Sequence, residues 1–287
     1  MTSTLRTAVL GIAAALAVGA SAPAAAKRGP PQRIMSLNVC TDLLLLQIAP
    51  RSRIASVTFL APEAARALFP GAADGIALNH GSAEDIVNVR PDLILDSALG
   101  APLTRTMARR VGARIVEVKD ANNFEDIRQI VRQVGEAVGE PARAQALIAR
   151  MDATLARLAA HPARRRLRVV AWSGGSAVPG KGSLTDAIIT AAGAVNIAAR
   201  PGAAESSFGV EELLVADPDA LLFGGATLGK PSLLTDEGQH RAVRQRFAGR
   251  RIAYNDVAHT CGLPQSADSA AALRRAFDAL PSRRPVR

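Results

Sequence analysis

Short runs of apolar residues alternate along the chain with stretches of helical spacing. Arg33–Leu37 (RIMSL) predicts a short buried strand and Asp42–Ile48 (DLLLLQI) the opening of a helix. Arg53–Phe59, Asp92–Leu95 and Ala113–Val118 predict further strands, with helical segments between them. Brief apolar runs separated by helices suit parallel β-α-β units, because crossover helices bury both faces of such a sheet. Phe124–Val138 sets Ile127, Ile130, Val131, Val134 and Val138 on one helical face. A Gly139-Glu140-Pro141 break follows, and Pro141 suits a first helical position, where a missing N–H has no partner to lose. From there Leu147, Ile148, Met151, Leu155 and Leu158 form one stripe. The pattern predicts a helix of 20 residues, Pro141–Ala160, about 30 Å long. His161-Pro162 ends it, and the basic run Arg164-Arg165-Arg166 leads onward.

The alternation contains a repeat. Glu84-Asp85-Ile86-Val87-Asn88-Val89-Arg90-Pro91-Asp92-Leu93-Ile94-Leu95 recurs as Glu211-Glu212-Leu213-Leu214-Val215-Ala216-Asp217-Pro218-Asp219-Ala220-Leu221-Leu222, every position shifted by 127. Each copy reads as a short helix, halted because the residue before proline is pushed out of the helical region, then Pro-Asp and a buried strand. Arg33-Ile34-Met35 matches Arg168-Val169-Val170 more loosely, and Gly112–Val118 matches Gly249–Asn255, so three strand blocks keep their order in both halves.

The first 26 residues carry one charge, Arg6, then 13 apolar residues from Ala8 to Ala20, then small residues ending in Ala24-Ala25-Ala26. This is the pattern of a cleaved secretory signal, too short in its apolar part to span a bilayer. The mature chain is expected to begin near Lys27 and to act in the periplasm. Losing Arg6 lowers the net charge from +10 to +9. Basicity at first admits nucleic acid, a membrane surface or an anionic ligand; export makes nucleic acid an improbable partner. With 48% hydrophobic residues the chain builds substantial cores, and two cysteines exclude a multi-cysteine metal scaffold.

Two exported α/β lobes joined by one long helix, each with an E-x-h-h-x-x-x-P-D-h-h-h element, resemble the periplasmic substrate-binding proteins of ABC importers for iron-siderophores, haem and vitamin B12. The resemblance runs from about Arg33 to Leu280. It is carried by Ser36–Leu45 (SLNVCTDLLL), Arg90–Ile94 (RPDLI), Gly180–Leu184 (GKGSL) leading to Ala192–Ile197 (AGAVNI), Asp217-Pro218-Asp219 and Cys261–Pro264 (CGLP). It implies two Rossmann-like lobes with parallel sheets and a ligand cleft between them. The expected division is a signal peptide at 1–26, an N-terminal lobe at 27–122, connecting helices at 123–162 and a C-terminal lobe at 163–287. No resident cofactor, metal of its own or catalytic residue is implied. The expected form is a monomer that hands a metal chelate to an inner-membrane permease with its ATPase. In the family one glutamate per lobe meets permease arginines, which assigns docking to Glu84 and Glu211.

In open parallel sheets, binding loops collect at the carboxyl ends of strands. The candidates there are Asn38, Cys40, Phe59, and Asp96 with Ser97 in the first half, joined by His80 just before the helix that bears Glu84. In the second they are Trp172 with Ser173, Lys181, Phe208, His259 and Cys261. Trp172 is the favoured contact, since an aromatic face supplies stacking area for a large conjugated ligand. One Trp and one Tyr in the whole chain are few beside the aromatic clefts of corrinoid binders, which favours a more polar metal chelate. Cys40 and Cys261, one per lobe, stand open between a disulfide across the cleft, thiols that ligate the cargo metal, and two unpaired buried cysteines. The alternative from another class is a secreted α/β enzyme using Asp96 and His259 as acid and base. No G-x-S-x-G, H-E-x-x-H or P-loop motif supports it.

Overall fold

A computed structural model of the chain describes residues 29–98, 102–172, 177–200, 205–224 and 240–281; the expected signal segment and Ser173 lie outside them. The first lobe runs β1 (Ile34–Ser36), α1 (Val39–Ile48), β2 (Ile54–Thr58), α2 (Ala61–Arg66), β3 (Leu78–Asn79), α3 (Ala83–Val89), β4 (Leu93–Ser97), α4 (Pro102–Arg110) and β5 (Arg114–Val118). Its five strands are all parallel, in the order β3-β2-β1-β4-β5. α5 (Phe124–Val138) and α6 (Pro141–Ala160) follow, with the predicted bounds. The second lobe contains β6 (Arg168–Ala171), β7 (Ala177–Pro179), α7 (Leu184–Ala191), β8 (Val195–Asn196), β9 (Glu205–Ser207), α8 (Val210–Ala216), β10 (Ala220–Gly224), α9 (Arg241–Arg246), β11 (Arg251–Tyr254), α10 (Asp256–Thr260) and α11 (Ser266–Ala279). Its parallel sheet has the order β11-β10-β6-β8, beside an antiparallel β7-β9 pair.

The repeat is visible in three dimensions. β6, β10 and β11 stand in the order of β1, β4 and β5, and β8 fills the place of β2, which no sequence match had indicated. α3 and α8 both end on a non-glycine residue in the left-handed region, Arg90 at φ 46° and Asp217 at φ 39°, the only such residues among those described. Each precedes the proline that blocks further helix, and holding a side chain there costs about 1 kcal/mol or more. The aspartate after each proline then fastens the first strand of its lobe. The Asp92 carboxylate accepts from the backbone N–H of Gln32 and Arg33, and Asp219 accepts from Arg168 N–H at 2.8 Å.

One apolar core runs without a break from the first lobe, through α5 and α6, to α11, joining Leu43, Leu45, Val134, Ile148, Leu222 and Leu273. The segments that meet between lobes mostly follow strand carboxyl ends. Cys40, just past β1, is bonded to Cys261, past β11. Asn255, directly after β11, donates to the Ala67 carbonyl at 3.0 Å, and Gln265 donates to Gln47 at 2.6 Å. The carboxyl edges of the two sheets therefore face each other. Packing at the seam is close: a Cβ added at Gly262 would stand 2.3 Å from the Ala121 Cβ.

The bridge spans 221 residues of sequence, so it removes much freedom from the unfolded chain. The oxidised protein, denatured without reductant, is expected to yield no free thiol. Reduction, or Cys261→Ala, is expected to lower stability by about 2–5 kcal/mol, read as a fall in Tm by circular dichroism.

Candidate functional site

The carboxyl edge of the first sheet presents Asn38, Phe59 and His80 on neighbouring strands. Asn38 is spent on the backbone: its side chain accepts from Cys40 N–H at 2.9 Å and starts α1 three residues before the predicted opening at Asp42. Phe59 follows β2 and His80 follows β3, and the sheet pairing, continued by Phe59 N–H to the Asn79 carbonyl at 2.9 Å, sets them side by side. Their rings stack 5.0 Å apart at 19°. Phe59 is 51% exposed, with Leu60 exposed next to it, so the pair forms an uncovered aromatic shelf.

Beneath the shelf lies a buried polar network that the apolar run around it conceals in the sequence. Asp42 accepts from the Thr58 backbone N–H at 3.1 Å and from the Thr58 hydroxyl; Ser36 and Thr41 hydroxyls meet at 2.8 Å. Asn79 donates to the Ser36 carbonyl and the Ser56 hydroxyl, both at 3.0 Å. These bonds tie the ends of β1, β2 and β3 to the first turn of α1 and fix the base of Phe59 and His80. Burial pushes the Asp42 carboxyl up to about 6, against the opposing effect of the hydrogen bonds from Ser36 and Thr58.

On the second lobe Lys181 is exposed in the turn before α7, where the Ser183 hydroxyl caps the helix and donates to the Gly180 carbonyl at 2.8 Å. The other candidates are corrected by their burial. Trp172 is 0% exposed, donates from its indole N–H to the Phe208 carbonyl at 2.8 Å and meets Phe223 edge-on; it is a pillar of the second-lobe core. Phe208 is buried in that same cluster. Asp96 is buried in β4, its pKa raised by burial and partly restored by the Ser97 N–H and Arg105. His259 is buried against the Tyr254 ring and bonded to the Ser269 hydroxyl at 2.9 Å. Desolvation brings its imidazole down to about 3, so the ring is neutral. Cys40 and Cys261 are committed to their bridge, which removes the thiol-ligand and unpaired alternatives. Asp96 and His259 thus bond to different partners and do not form an acid/base pair. Trp172 follows its strand as the sequence indicated, whereas Asp96 lies within β4, which runs to Ser97; both side chains turn inward, and strand position alone does not report that.

The paired acids of the repeat separate into two kinds. Asp85 accepts from the N–H groups of His80 and Ser82, and Glu212 accepts from Gly209 N–H at 3.1 Å, each closing the start of its helix. Glu84 and Glu211 are exposed and have no partner among the described residues. Val87 and Val215, one turn further on, are 43% and 87% exposed. Each lobe so presents a free carboxylate with an apolar neighbour on the same helix face.

Two parallel-sheet lobes seamed by a long helix define a two-lobe α/β fold, with an exposed aromatic pair at the carboxyl edge of the first sheet. The family model for periplasmic binding proteins matches residues 76–248. The chain belongs to that family, whose members are binding proteins and not enzymes. In fold it is similar to the periplasmic haem-binding protein RhuT from Roseiflexus sp. RS-1, with 24% identity and a TM-score of 0.69 over 86% of this chain and 98% of that one. It is also similar to the periplasmic vitamin B12-binding protein BtuF of Vibrio cholerae, with 16% identity and a TM-score of 0.61 over 86% and 96%. A third similar structure is that of an ABC-type Fe3+-hydroxamate transport system from Saccharomonospora viridis, with 20% identity and a TM-score of 0.63 over 88% and 94%. No curated protein matches the sequence.

The two buried ionisable groups give opposite pH slopes. A carboxyl raised to about 6 binds its proton more readily folded than unfolded, so its contribution falls as pH rises from about 4 to 6. A histidine lowered to about 3 does the reverse: its contribution is lost as pH falls below about 6.5. Asp42→Asn is expected to lose stability more steeply than the parent on acidification, because the proton uptake that offsets the acid loss is removed. His259→Gln is expected to flatten the acid loss, as read by urea unfolding from pH 4.5 to 7.5.

Proposed function

We propose that this chain is the cleft-binding, cargo-carrying component of an ABC importer for an iron chelate, and that Phe59 and His80 form its contact surface on the first lobe. The observation that carries the reading is the exposed Phe59–His80 stack. A flat apolar ring and one imidazole suit a conjugated chelate whose metal keeps an exchangeable axial position. Among the described residues no three His, Cys, Asp or Glu side chains gather where they could hold a bare ion. Lys181 offers a charge-assisted contact to cargo carboxylates. With Trp172 and Phe208 in the core, the described cleft has little aromatic surface beyond this shelf. That favours haem or an iron-siderophore over a corrinoid, in line with the haem and hydroxamate systems among the similar structures. The chain is further proposed to be exported by a signal cleaved near Lys27 and to act as a monomer. Among the described residues no helix is long and apolar enough to cross a membrane.

Glu84 with Val87 and Glu211 with Val215 are proposed as twin docking knobs for a two-fold permease. Charge complementarity would orient the complex, and the two valines would add apolar contact.

The test titrates the oxidised mature protein with haemin, a ferric hydroxamate and cobalamin. Haemin or the hydroxamate is expected to bind saturably and to raise Tm. His80→Ala is expected to weaken haemin at least tenfold and to alter its Soret band, with a smaller loss in Phe59→Ala. Failure of all three chelates to bind would overturn the reading. For docking, Glu84→Lys with Glu211→Lys is expected to abolish cargo uptake by cells while leaving chelate affinity unchanged.

A further inference from the structure

The basic run at the end of α6 has no part in the cleft. The structure divides its duties. Arg165 donates to the carbonyls of Phe277 and Leu280 and so closes the end of α11. Arg164 lines a cavity of about 440 Å³ with Arg157, His161, Arg274, Arg275 and Asp278, where α6 and α11 pack together.

Arg274 forms the floor of this cavity. It is 9% exposed, and its guanidinium donates to the carbonyls of Ala192, at 2.6 Å, and of His161 and Ala191. Gly193 makes room for it: at φ 81° a Cβ there would stand 2.6 Å from the guanidinium nitrogen. The carbonyl partners belong to the C-terminal ends of α6 and α7, whose partial negative charge accounts for one arginine. Arg157, Arg164 and Arg275 remain, all exposed at the rim, against the single carboxylate of Asp278. None of the four arginines has an acidic partner among the described residues. Elsewhere arginines do find carboxylates, as in Arg128 with Asp152 at 2.7 Å and Arg246 with Asp217 at 2.7 Å.

We infer that this cavity between α6 and α11 is a binding site for a phosphate-type oxyanion, held by the guanidinium groups of Arg157, Arg164 and Arg275 above the buried charge of Arg274. Planar guanidinium forks match the geometry of phosphate oxygens, and Arg274, anchored to the backbone carbonyls, fixes the base of the cavity beneath them. The volume accommodates a phosphate carrying an organic substituent, so the phosphate belongs either to a free anion or to a lipid headgroup. The site lies on the helix that joins the lobes and is independent of which cargo fills the cleft.

The experiment uses the oxidised mature chain at constant ionic strength. Inorganic phosphate is titrated calorimetrically, and vesicles of phosphatidylglycerol in phosphatidylcholine are compared with vesicles of phosphatidylcholine alone. Saturable binding of one phosphate per chain is expected, weakened at least tenfold by Arg164→Gln with Arg275→Gln. It should be unchanged by the equal charge loss of Arg109→Gln with Arg110→Gln on α4. Vesicle binding that the first pair abolishes, that the second pair spares and that inorganic phosphate does not displace would identify the source as a lipid headgroup. Displacement by inorganic phosphate would identify a free anion. Two outcomes overturn the inference: no saturable binding of either probe, or equal weakening by both pairs, which is the behaviour of diffuse surface charge.

Discussion

Everything in this protein that faces a partner depends on the unbroken apolar seam between its lobes. α5 and α6 pack onto α1 and the first sheet on one side and onto α7 and α11 on the other, so one core serves both lobes. The Cys40–Cys261 bridge and the Gln47–Gln265 and Ala67–Asn255 hydrogen bonds lie along the same seam. Because parallel strands all end on one edge, a seam that turns the two edges toward each other gathers their loops in one cleft. The same seam limits how far the cleft opens, since parting the lobes would expose buried leucine, isoleucine and valine side chains at roughly 25 cal/mol for each Å² uncovered.

Among the residues that follow the strands, burial separates side chains that support the lobes from within from those left open to solvent. Trp172 and Phe208 support the second lobe from inside, and the Trp172 indole N–H is already bonded. Asp42, Ser36, Thr58 and Asn79 hold the first lobe's strand ends from beneath. Among the candidates the Phe59–His80 pair and Lys181 remain exposed, and a ring pair anchored in this way holds its geometry. Pre-organisation of that kind reduces the ordering that binding would otherwise require.

The duplicated helix-turn-strand unit shows how a local rule leaves one acidic side chain free on each lobe. Proline stops each helix at the same length, the left-handed residue before it turns the chain, and the following aspartate fastens the first strand of its lobe. At the other end the third helical residue, Asp85 or Glu212, closes the cap. The glutamate between these constraints, Glu84 or Glu211, is left free. Two exposed carboxylates on a chain of net charge +10 are a local exception to its overall field.

Much of this was legible in the chain itself. Helical periodicity located α5 and α6 with their observed bounds, because a stripe of apolar residues and a proline at the first position are local signals. Apolar runs found β1, β2, β4 and β5, and the repeat at a shift of 127 paired the lobes. Tertiary structure alone decided the rest. It chose the disulfide among three readings of Cys40 and Cys261, added β8 to the second sheet, and separated free from capping acids. It also moved Trp172, Phe208, Asp96 and His259 from the expected cleft into the interior. Strand order along the sequence states where a residue falls relative to a sheet edge. Whether its side chain then points to water or to the core depends on what packs against it, as the Phe208 carbonyl does against Trp172 and the Ser269 hydroxyl against His259, and strand order does not name those neighbours.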